Sequence, residues 1–435
     1  MQTIKLASTP TNIEDQHLSD SLKSNVTILK KTHSSQPFEQ HPGFLKVNAL
    51  RQYAQITDTA NPFFTVHDSI ANATTSIDGK DLYNFASYNY LGLNGHPSVT
   101  AAAKAAIDQF GTSVSASRIV SGERPFHQAL ENALASLCDC EAALTYVSGH
   151  ATNVTALGYL FGPDDLIMHD KLAHNSILQG IRLSQADRIG FKHNDLEDLE
   201  NRLKRVRHKY KNVLIVVEGL YSMDGDIPDL PVLVQIKEKW GCLLMVDDAH
   251  GLGVLGQKGL GIREHFNLKG SCVDIWTGTL SKTLASSGGY IAGSQALIDN
   301  LKFFSPGFLY SVGLPPPNAA AALAALKILH QEPQRVMKLQ AIGKYFLERT
   351  SEIEMDTGHA IGFGIIPAIL GCPLKAITIS STLKSRGIHA MPIFYPAVAE
   401  HSARIRFFLS CEHTMQMVDQ TIEAWNIAIT QLNSD

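Results

Sequence analysis

Gly278-Thr279-Leu280-Ser281-Lys282-Thr283 follows the apolar run Val273 to Trp276 and precedes a tract of small residues, Ala285-Ser286-Ser287-Gly288-Gly289-Tyr290. Upstream, Val246-Asp247-Asp248-Ala249-His250-Gly251 closes a second apolar run, Cys242 to Val246. Both runs read as buried strands, so an amine and a carboxylate are expected at the ends of two strands. Those are the two groups that hold and activate pyridoxal phosphate. The amine binds the cofactor covalently, and the carboxylate keeps its pyridine nitrogen protonated so that the ring accepts electrons. Lys282 and Asp247 therefore predict a pyridoxal-phosphate enzyme. Of the adjacent pair Asp247 and Asp248, at most one is expected to face the cofactor, because side chains alternate along a strand.

The rest of the chain extends this pattern. Ala142 to Val147, Leu166 to His169, Val213 to Glu218 and Leu243 to Asp247 read as buried strands, with helical stretches at 194 to 207 and 231 to 240 among them. Helices are also predicted over Ser98 to Phe110 and Pro125 to Leu137, the latter with Phe126, Leu130, Leu134 and Leu137 at helical spacing. Near-continuous apolar strands alternating with helices predict an α/β fold with a mostly parallel sheet covered on both faces. Gly289 to Gly293 lies too close to the Trp276 strand for a crossover helix, so an antiparallel strand at the sheet's edge is expected there. Asp81 to Ala86 reads as a short strand, and Asn318 to Leu329 and Glu332 to Thr350 as helices. Short strands and a terminal helix over 414 to 432 suggest a smaller α+β domain at the C-terminus. The expected division is 1–75 as an N-terminal arm and the start of the small domain, 76–325 as the large cofactor-binding domain, and 326–435 as the small one.

With 435 residues the chain is long enough for two domains. Its formal charge of -4, with mixed signs, gives no basic field for nucleic acid. The six cysteines, at 138, 140, 242, 272, 372 and 411, are few and mostly beside apolar stretches, so free buried thiols are expected. Cys138 and Cys140 have no partner pair with metal-ligand spacing, and no metal site is expected. No stretch approaches 18 consecutive apolar residues, and the N-terminus lacks a signal-peptide core, which points to a cytoplasmic protein. Residues 1 to about 43, rich in Ser, Thr, Gln and Lys, fit either a disordered segment or an arm packing on a partner subunit.

Further candidates lie where strands end. Ser148-Gly149-His150-Ala151-Thr152-Asn153 joins a strand to a helix, and backbone N–H groups at such a helix start can hold a phosphate. Taken alone the junction is more often a plain tight turn; its weight comes from agreement with Lys282 and Asp247. Thr279 offers a hydroxyl to the same phosphate. His174, just past the strand ending at His169, is placed to stack on the cofactor ring, although eighteen histidines make a merely structural one common. Ser222, in Glu218 to Asp226, and His250 are candidate partners of the ring oxygen. Arg404-Ile405-Arg406-Phe407-Phe408 alternates like a strand, and one of its arginines suits a bidentate grip on a substrate carboxylate.

Together these residues resemble the α-oxoamine synthase family of fold-type I pyridoxal-phosphate enzymes, with an aspartate-aminotransferase-like fold. The likeness runs from about Pro62 to the C-terminus. It rests on Asn89-Tyr90-Leu91-Gly92, on Ser117 to Gly122 followed by His127 and Leu130-Glu131, on Glu218 to Gly225, on Val246 to Gly251 and on Gly278 to Lys282. The resemblance implies that Lys282 is the Schiff-base lysine, Asp247 the pyridinium partner and His174 the stacking histidine. It puts Ser222 and His250 near the ring hydroxyl, and Ser148, Gly149, His150 and Thr279 at the phosphate. It selects Arg406 over Arg404 for the substrate carboxylate. It also implies a homodimer with shared active sites, in which Tyr310-Ser311 is lent to the neighbouring subunit's phosphate site.

Two positions depart from the family pattern. Tyr88 stands where many members have Asn at the amino-acid carboxylate, as it does in serine palmitoyltransferases and in polyketide-associated members. Gly313 stands where many have Ser, which suggests a roomier entrance for an acyl or pantetheine chain. The activity implied is condensation of serine, alanine or glycine with an acyl thioester, on coenzyme A or on a carrier protein, with release of CO2 and free thiol. Tyr88 favours serine or alanine. The alternatives are serine palmitoyltransferase or 8-amino-7-oxononanoate synthase activity proper, then an aminotransferase or a non-catalytic subunit.

Overall fold

The computed structural model describes residues 38–56 and 61–434. The expectation for residues 1 to 43 lies almost wholly outside them. The chain divides into two compact units, 1–61 and 62–435. The described part of the first is essentially one helix, Pro42–Ile56. Everything below concerns the second.

That unit opens with two paired strands, β1 (Thr74–Ile77) and β2 (Lys80–Asn84). The main sheet then takes β3 (Ala142–Tyr146), β4 (Leu166–Asp170), β5 (Asp187–Phe191), β6 (Val213–Glu218), β7 (Leu243–Asp247), β8 (Ile275–Thr279) and β9 (Gly289–Gly293). These seven strands lie in the order β3-β9-β8-β7-β6-β4-β5. All run parallel except β9, which is antiparallel to both its neighbours. The predicted antiparallel strand is therefore present but internal. With no helix between them, β8 and β9 must pair as neighbours, and β3 then closes the sheet beyond β9.

Alternation along the strands divides the apolar side chains between two cores. Val213, Ile215 and Val217 join one cluster with Leu244, Val246 and Trp276, whereas Leu214 and Val216 join the other with Ile167, Met245 and Ile291. Every residue of β4 and β6 is buried, as a sheet covered on both faces requires. The edge strand β5 escapes the apolar-run criterion: Asp187-Arg188-Ile189-Gly190-Phe191 is half polar, with its first two residues exposed. Polar residues on an edge strand deter pairing with another chain.

The remaining strands are β10 (Ile365–Gly371), β11 (Ile388–His389), β12 (Met391–Ile393) and β13 (Ala403–Phe408). The first pair of strands recruits β11 into one small sheet, and β10-β13-β12 forms another. Strand β13 lies in the middle of the latter, with Arg406 in register between Pro367 and Met391. The terminal helix is Met415–Ser434. All six cysteines are free, three of them buried. No described helix is long and apolar enough to cross a membrane.

Candidate active site

Parallel strands deliver their carboxyl ends to one edge of the sheet, where open α/β sheets bind ligands. On this edge β3 leads to Ser148, β4 to His174, β6 to Ser222, β7 to Asp247 and His250, and β8 to Lys282.

Lys282 stands in a tightly knit connection between β8 and β9. Leu280 N donates to Gly288 O at 2.9 Å, Ser286 N to Leu280 O at 2.9 Å and Ala285 N to Lys282 O at 3.0 Å. The Thr283 hydroxyl donates to Leu252 O at 2.7 Å and that of Ser286 to Asn318 O at 2.7 Å. The amine lies 5.8 Å from the centre of the Tyr88 ring. Burial pushes its pKa down to about 8; the carboxylates of Asp247 and Glu218 oppose that shift and Arg406 adds to it.

Asp247 is buried at the end of β7. Its Oδ2 accepts from Asn153 Nδ2 at 2.7 Å and its Oδ1 from Ala249 N at 3.1 Å. Asn153 also donates to Ser176 Oγ at 2.9 Å, and that hydroxyl lies 2.6 Å from His174 Nδ1. One asparagine thus couples the carboxylate to the histidine that caps helix Asn175–Ser184. Burial lowers the His174 pKa, the Asp247 charge raises it, and Lys282 and His150 lower it further. Asp248 points elsewhere. It accepts from Ile262 N at 3.0 Å, between Gly219, Gly251 and Gly261, and burial pushes it up to about 8.

Glu218 lies beside Asp247 in the β6–β7 register. Burial, with the Asp247 charge adding to it and Lys282 opposing it, raises its pKa well above the usual carboxylate range. His250 shares a 2.7 Å hydrogen bond with the Tyr90 hydroxyl and stacks on Phe408 at 6.2 Å. Burial, then the charges of Lys282 and Arg406, holds it far below the usual histidine value. Tyr88 meets Phe408 edge-on at 4.8 Å and His250 at 6.1 Å.

The two arginines of β13 differ. Arg404 is committed: it donates to Asp224 Oδ1 at 2.8 Å, Met223 O at 2.9 Å and Ser402 O at 3.0 Å. Arg406 lies over the Phe408 ring at 4.3 Å, and its Nη1 reaches Ser222 O and Met223 Sδ, both at 3.0 Å. Its buried Nε has no partner.

The phosphate candidates converge from two segments. Ser148 caps helix Gly149–Leu160 by accepting from Ala151 N at 3.0 Å. A Cβ on Gly149 would lie 3.1 Å from both Cβ and Oγ1 of Thr279, so helix start and strand end touch. Thr279 Oγ1 is 2.7 Å from Ser281 Oγ. His150 is exposed at the rim, its ring 6.5 Å from that of His174. Ser311 is not brought to this cluster. It hydrogen-bonds the adjacent Val312 O at 3.3 Å, beside the exposed Tyr310.

Gly313 is not at an opening. It is buried, its N–H donates to Ala116 O at 3.1 Å, and a Cβ would meet Arg118 Cγ and Val114 Cγ2 at 3.0 Å. Close packing against Arg118 and Val114 accounts for the glycine.

Pyridoxal phosphate suits these residues. Buried polar atoms of Asn153 (Oδ1), Glu218 (Oε1), Thr277 (Oγ1) and Arg406 (Nε) have no protein partner. They surround a half-buried amine, a buried carboxylate and a helix N-terminus, which match an aldehyde, a ring nitrogen and a phosphate. The sequence reading assigned no role to Asn153, Ser176, Glu218 or Tyr90. The spacing from Gly149 to Asn153, one helical turn, was the available signal for the first of them.

Known proteins resemble this chain over most of its length. The pattern for aminotransferases of class I and II matches residues 80–424. 8-Amino-7-oxononanoate synthase of Thermoanaerobacter pseudethanolicus is 40% identical over 369 residues, 85% of this chain and 93% of that protein. The enzyme of that name from Fervidobacterium nodosum is 41% identical over 359 residues, 82% and 90% of the two chains. Among solved structures, serine palmitoyltransferase of Sphingomonas wittichii superposes with a TM-score of 0.86 at 28% identity, covering 91% of this chain and 99% of that one. 8-Amino-7-oxononanoate synthase of Francisella tularensis gives 0.69 at 26% identity, covering 81% and 99%. A high-resolution structure of SPT with PLP gives 0.86 at 25% identity, covering 92% and 99%. Matches of this extent show that the chain belongs to the aminotransferase class I and II family and, within it, to the fold-type I α-oxoamine synthases.

Proposed function

We propose that the chain condenses a small amino acid with an acyl thioester, releasing CO2 and free thiol and leaving an α-amino ketone. The observation that carries this reading is the pairing of two half-buried cations around Tyr88. One, the Lys282 amine, has a pKa of about 8; the other, the Arg406 guanidinium, keeps an unspent donor. The first suits proton transfer at Cα, the second a grip on the carboxylate.

Lys282 would hold pyridoxal phosphate, with Asp247 at the ring nitrogen, His174 against the ring, Ser222 and His250 toward the ring oxygen, and Ser148, Gly149, His150 and Thr279 at the phosphate. When bound, the cofactor supplies a sink for the electrons left at Cα. Asn153 and Ala249 fix Asp247 by two hydrogen bonds, so the carboxylate needs no reorganisation to face a positive ring nitrogen. Lys282 Nζ, freed when the substrate's amine takes its place, would take the Cα proton and return one to the same carbon after CO2 has left. Arg406, fixed by Phe408, Ser222 and Met223, sets which Cα bond stands in position to break. His174, tied to Ser176, is held where the new carbonyl forms.

A second copy of the chain is part of the proposal, with Tyr310-Ser311 lent across the interface, and so are the division at 1–75, 76–325 and 326–435 and a cytoplasmic setting. Tyr88 favours serine or alanine. The relatives near 40% identity are 8-amino-7-oxononanoate synthases and the structures that superpose at 0.86 are serine palmitoyltransferases, so both substrate pairs belong to the proposal. The test is a grid of glycine, alanine and serine against short and long acyl thioesters, on coenzyme A and on carrier protein, read by mass spectrometry. One or two cells are expected to yield an α-amino ketone. A grid without product on either carrier overturns the assignment.

A further inference from the structure

A second polar cluster lies over the ends of β6, β4 and β5, beyond β7 from the catalytic lysine, and the mechanism above makes no use of it. It is built around His193, in the loop after β5. Its Nδ1 lies 2.9 Å from Asp170 Oδ1 and its Nε2 lies 2.8 Å from Asp226 Oδ2. Carboxylates only accept, so both ring nitrogens must donate, and a ring that donates twice is an imidazolium. The side chain of Asp170 is wholly buried and that of Asp226 nearly so, while the histidine keeps 21% of its side-chain surface exposed. Tyr221 packs edge-on against the ring at 4.5 Å.

Each carboxylate holds a different loop. Asp170 ends β4 and accepts from Leu172 N at 2.8 Å, fixing the turn that leads to His174. Asp226 closes the loop after β6: its carbonyl accepts from Tyr221 N at 2.9 Å, and Tyr221 O accepts from Gly225 N at 2.9 Å. Between these bonds lie Ser222 and Met223, on which Arg406 rests. Asn194, at φ +52, doubles the bridge: its N–H donates to Asp170 Oδ2 at 2.9 Å and its side chain to Asp226 Oδ2 at 3.0 Å.

We infer that His193 is a positioning residue, a permanently charged tie that sets the spacing between the His174 loop and the Ser222–Met223 loop and thereby the place of Arg406. It touches neither cofactor nor substrate. Its effect reaches the reaction through where the substrate carboxylate is held, and to that extent the inference rests on the role proposed for Arg406.

The titration of the ring agrees with this geometry. Burial disfavours its charge, but the hydrogen bonds to Asp170 and Asp226, together with their negative charge, outweigh it and hold the pKa up at about 10. The groups facing it are Asp170 from β4 and Asp226 and Tyr221 from the loop after β6. Burial raises Tyr221 well above the ordinary phenol value, with Asp170 and Glu218 adding to the shift, so it stays neutral.

Two measurements test the inference. Nitrogen NMR of the histidine ring in cofactor-free wild-type protein, assigned by its loss in His193→Gln, should show both nitrogens protonated up to at least pH 8. A ring that titrates near 6.5 overturns the tie whether or not the enzyme makes a ketone. In the holoenzyme, His193→Gln should raise the dissociation constant of the amino acid, read from the cofactor's absorbance, by roughly tenfold. It should change that of the matching amine without a carboxylate by less than twofold. His193→Gln/Asp226→Asn, which replaces the charged contact with a neutral one, should recover part of the loss. Equal weakening of both ligands, or an unchanged amino-acid affinity in folded His193→Gln, refutes the positioning role. Failure of the condensation grid would leave these binding readouts intact.

Discussion

Arg404 and Arg406 sit two residues apart on one strand, and what each nitrogen already holds separates them. Arg404→Ala leaves Asp224 half-buried without its partner and should cost about 3 kcal/mol of stability, read from the denaturant midpoint. Arg406→Ala should leave stability nearly unchanged and weaken amino-acid binding by roughly a hundredfold, the loss of a charge-assisted contact. Lys282 supplies a pH signature. Its folded pKa of about 8 lies below the ordinary lysine value of 10.5, so the unfolded chain binds more protons between those two pH values. Stability of the cofactor-free protein therefore rises across that window, and below it the cost of the buried charge is fully present. Lys282→Met should stabilise cofactor-free protein at pH 7 by roughly 1–3 kcal/mol, with the gain fading between pH 8 and 10.5 in urea titrations. Lys282 and Asp247 were legible in the sequence because each follows an apolar run that could only be a strand. The roles of Asn153, Glu218 and Tyr90 were not, because the partners that define them are far away in the chain.

Secondary elements carry the proposed phosphate end of the site. Helix Gly149–Leu160 begins against β9 with almost no clearance: a Cβ on Gly289 would lie 2.6 Å from Gly149 Cα and 2.4 Å from Thr152 Oγ1. Gly289→Ala must push the helix start away from Thr279, at an expected cost of about 1–3 kcal/mol. Retention of pyridoxal phosphate through dialysis should fall with it. Strands β6 and β7 were read with their true bounds, since near-complete burial makes them apolar runs up to their terminal carboxylates. Strand β5 was missed for the opposite reason, its edge position selecting polar residues. The antiparallel direction of β9 followed from the length of its connection. Its internal place did not, because nothing near Gly289 reports that β3 returns to pair beyond it.

The molecule as a whole exposes more apolar surface around Arg118 than a lone chain needs. Val120 is 78% exposed, Phe304 64% and Tyr310 88%. These segments converge: Arg118 lies over the Phe308 ring at 5.4 Å, and Gly313 N–H donates to Ala116 O. Patches of this kind mark sites of association. The wild-type chain should sediment as a dimer, and Val120→Glu/Phe304→Glu should sediment as a monomer that loses its cofactor on dilution. A monomeric wild type that keeps full activity would remove the second copy from the proposal. The connection from Leu280 to Gly288 bears on the whole sheet, since it joins two adjacent interior strands and is bonded within itself and to Leu252 and Asn318. Such a stretch has no slack. One residue added there would either swing every side chain of β9 to the opposite face or carry the amine off its mark. The chain can therefore absorb insertions almost anywhere on its surface more readily than in these few positions, and a working enzyme has to keep their count fixed.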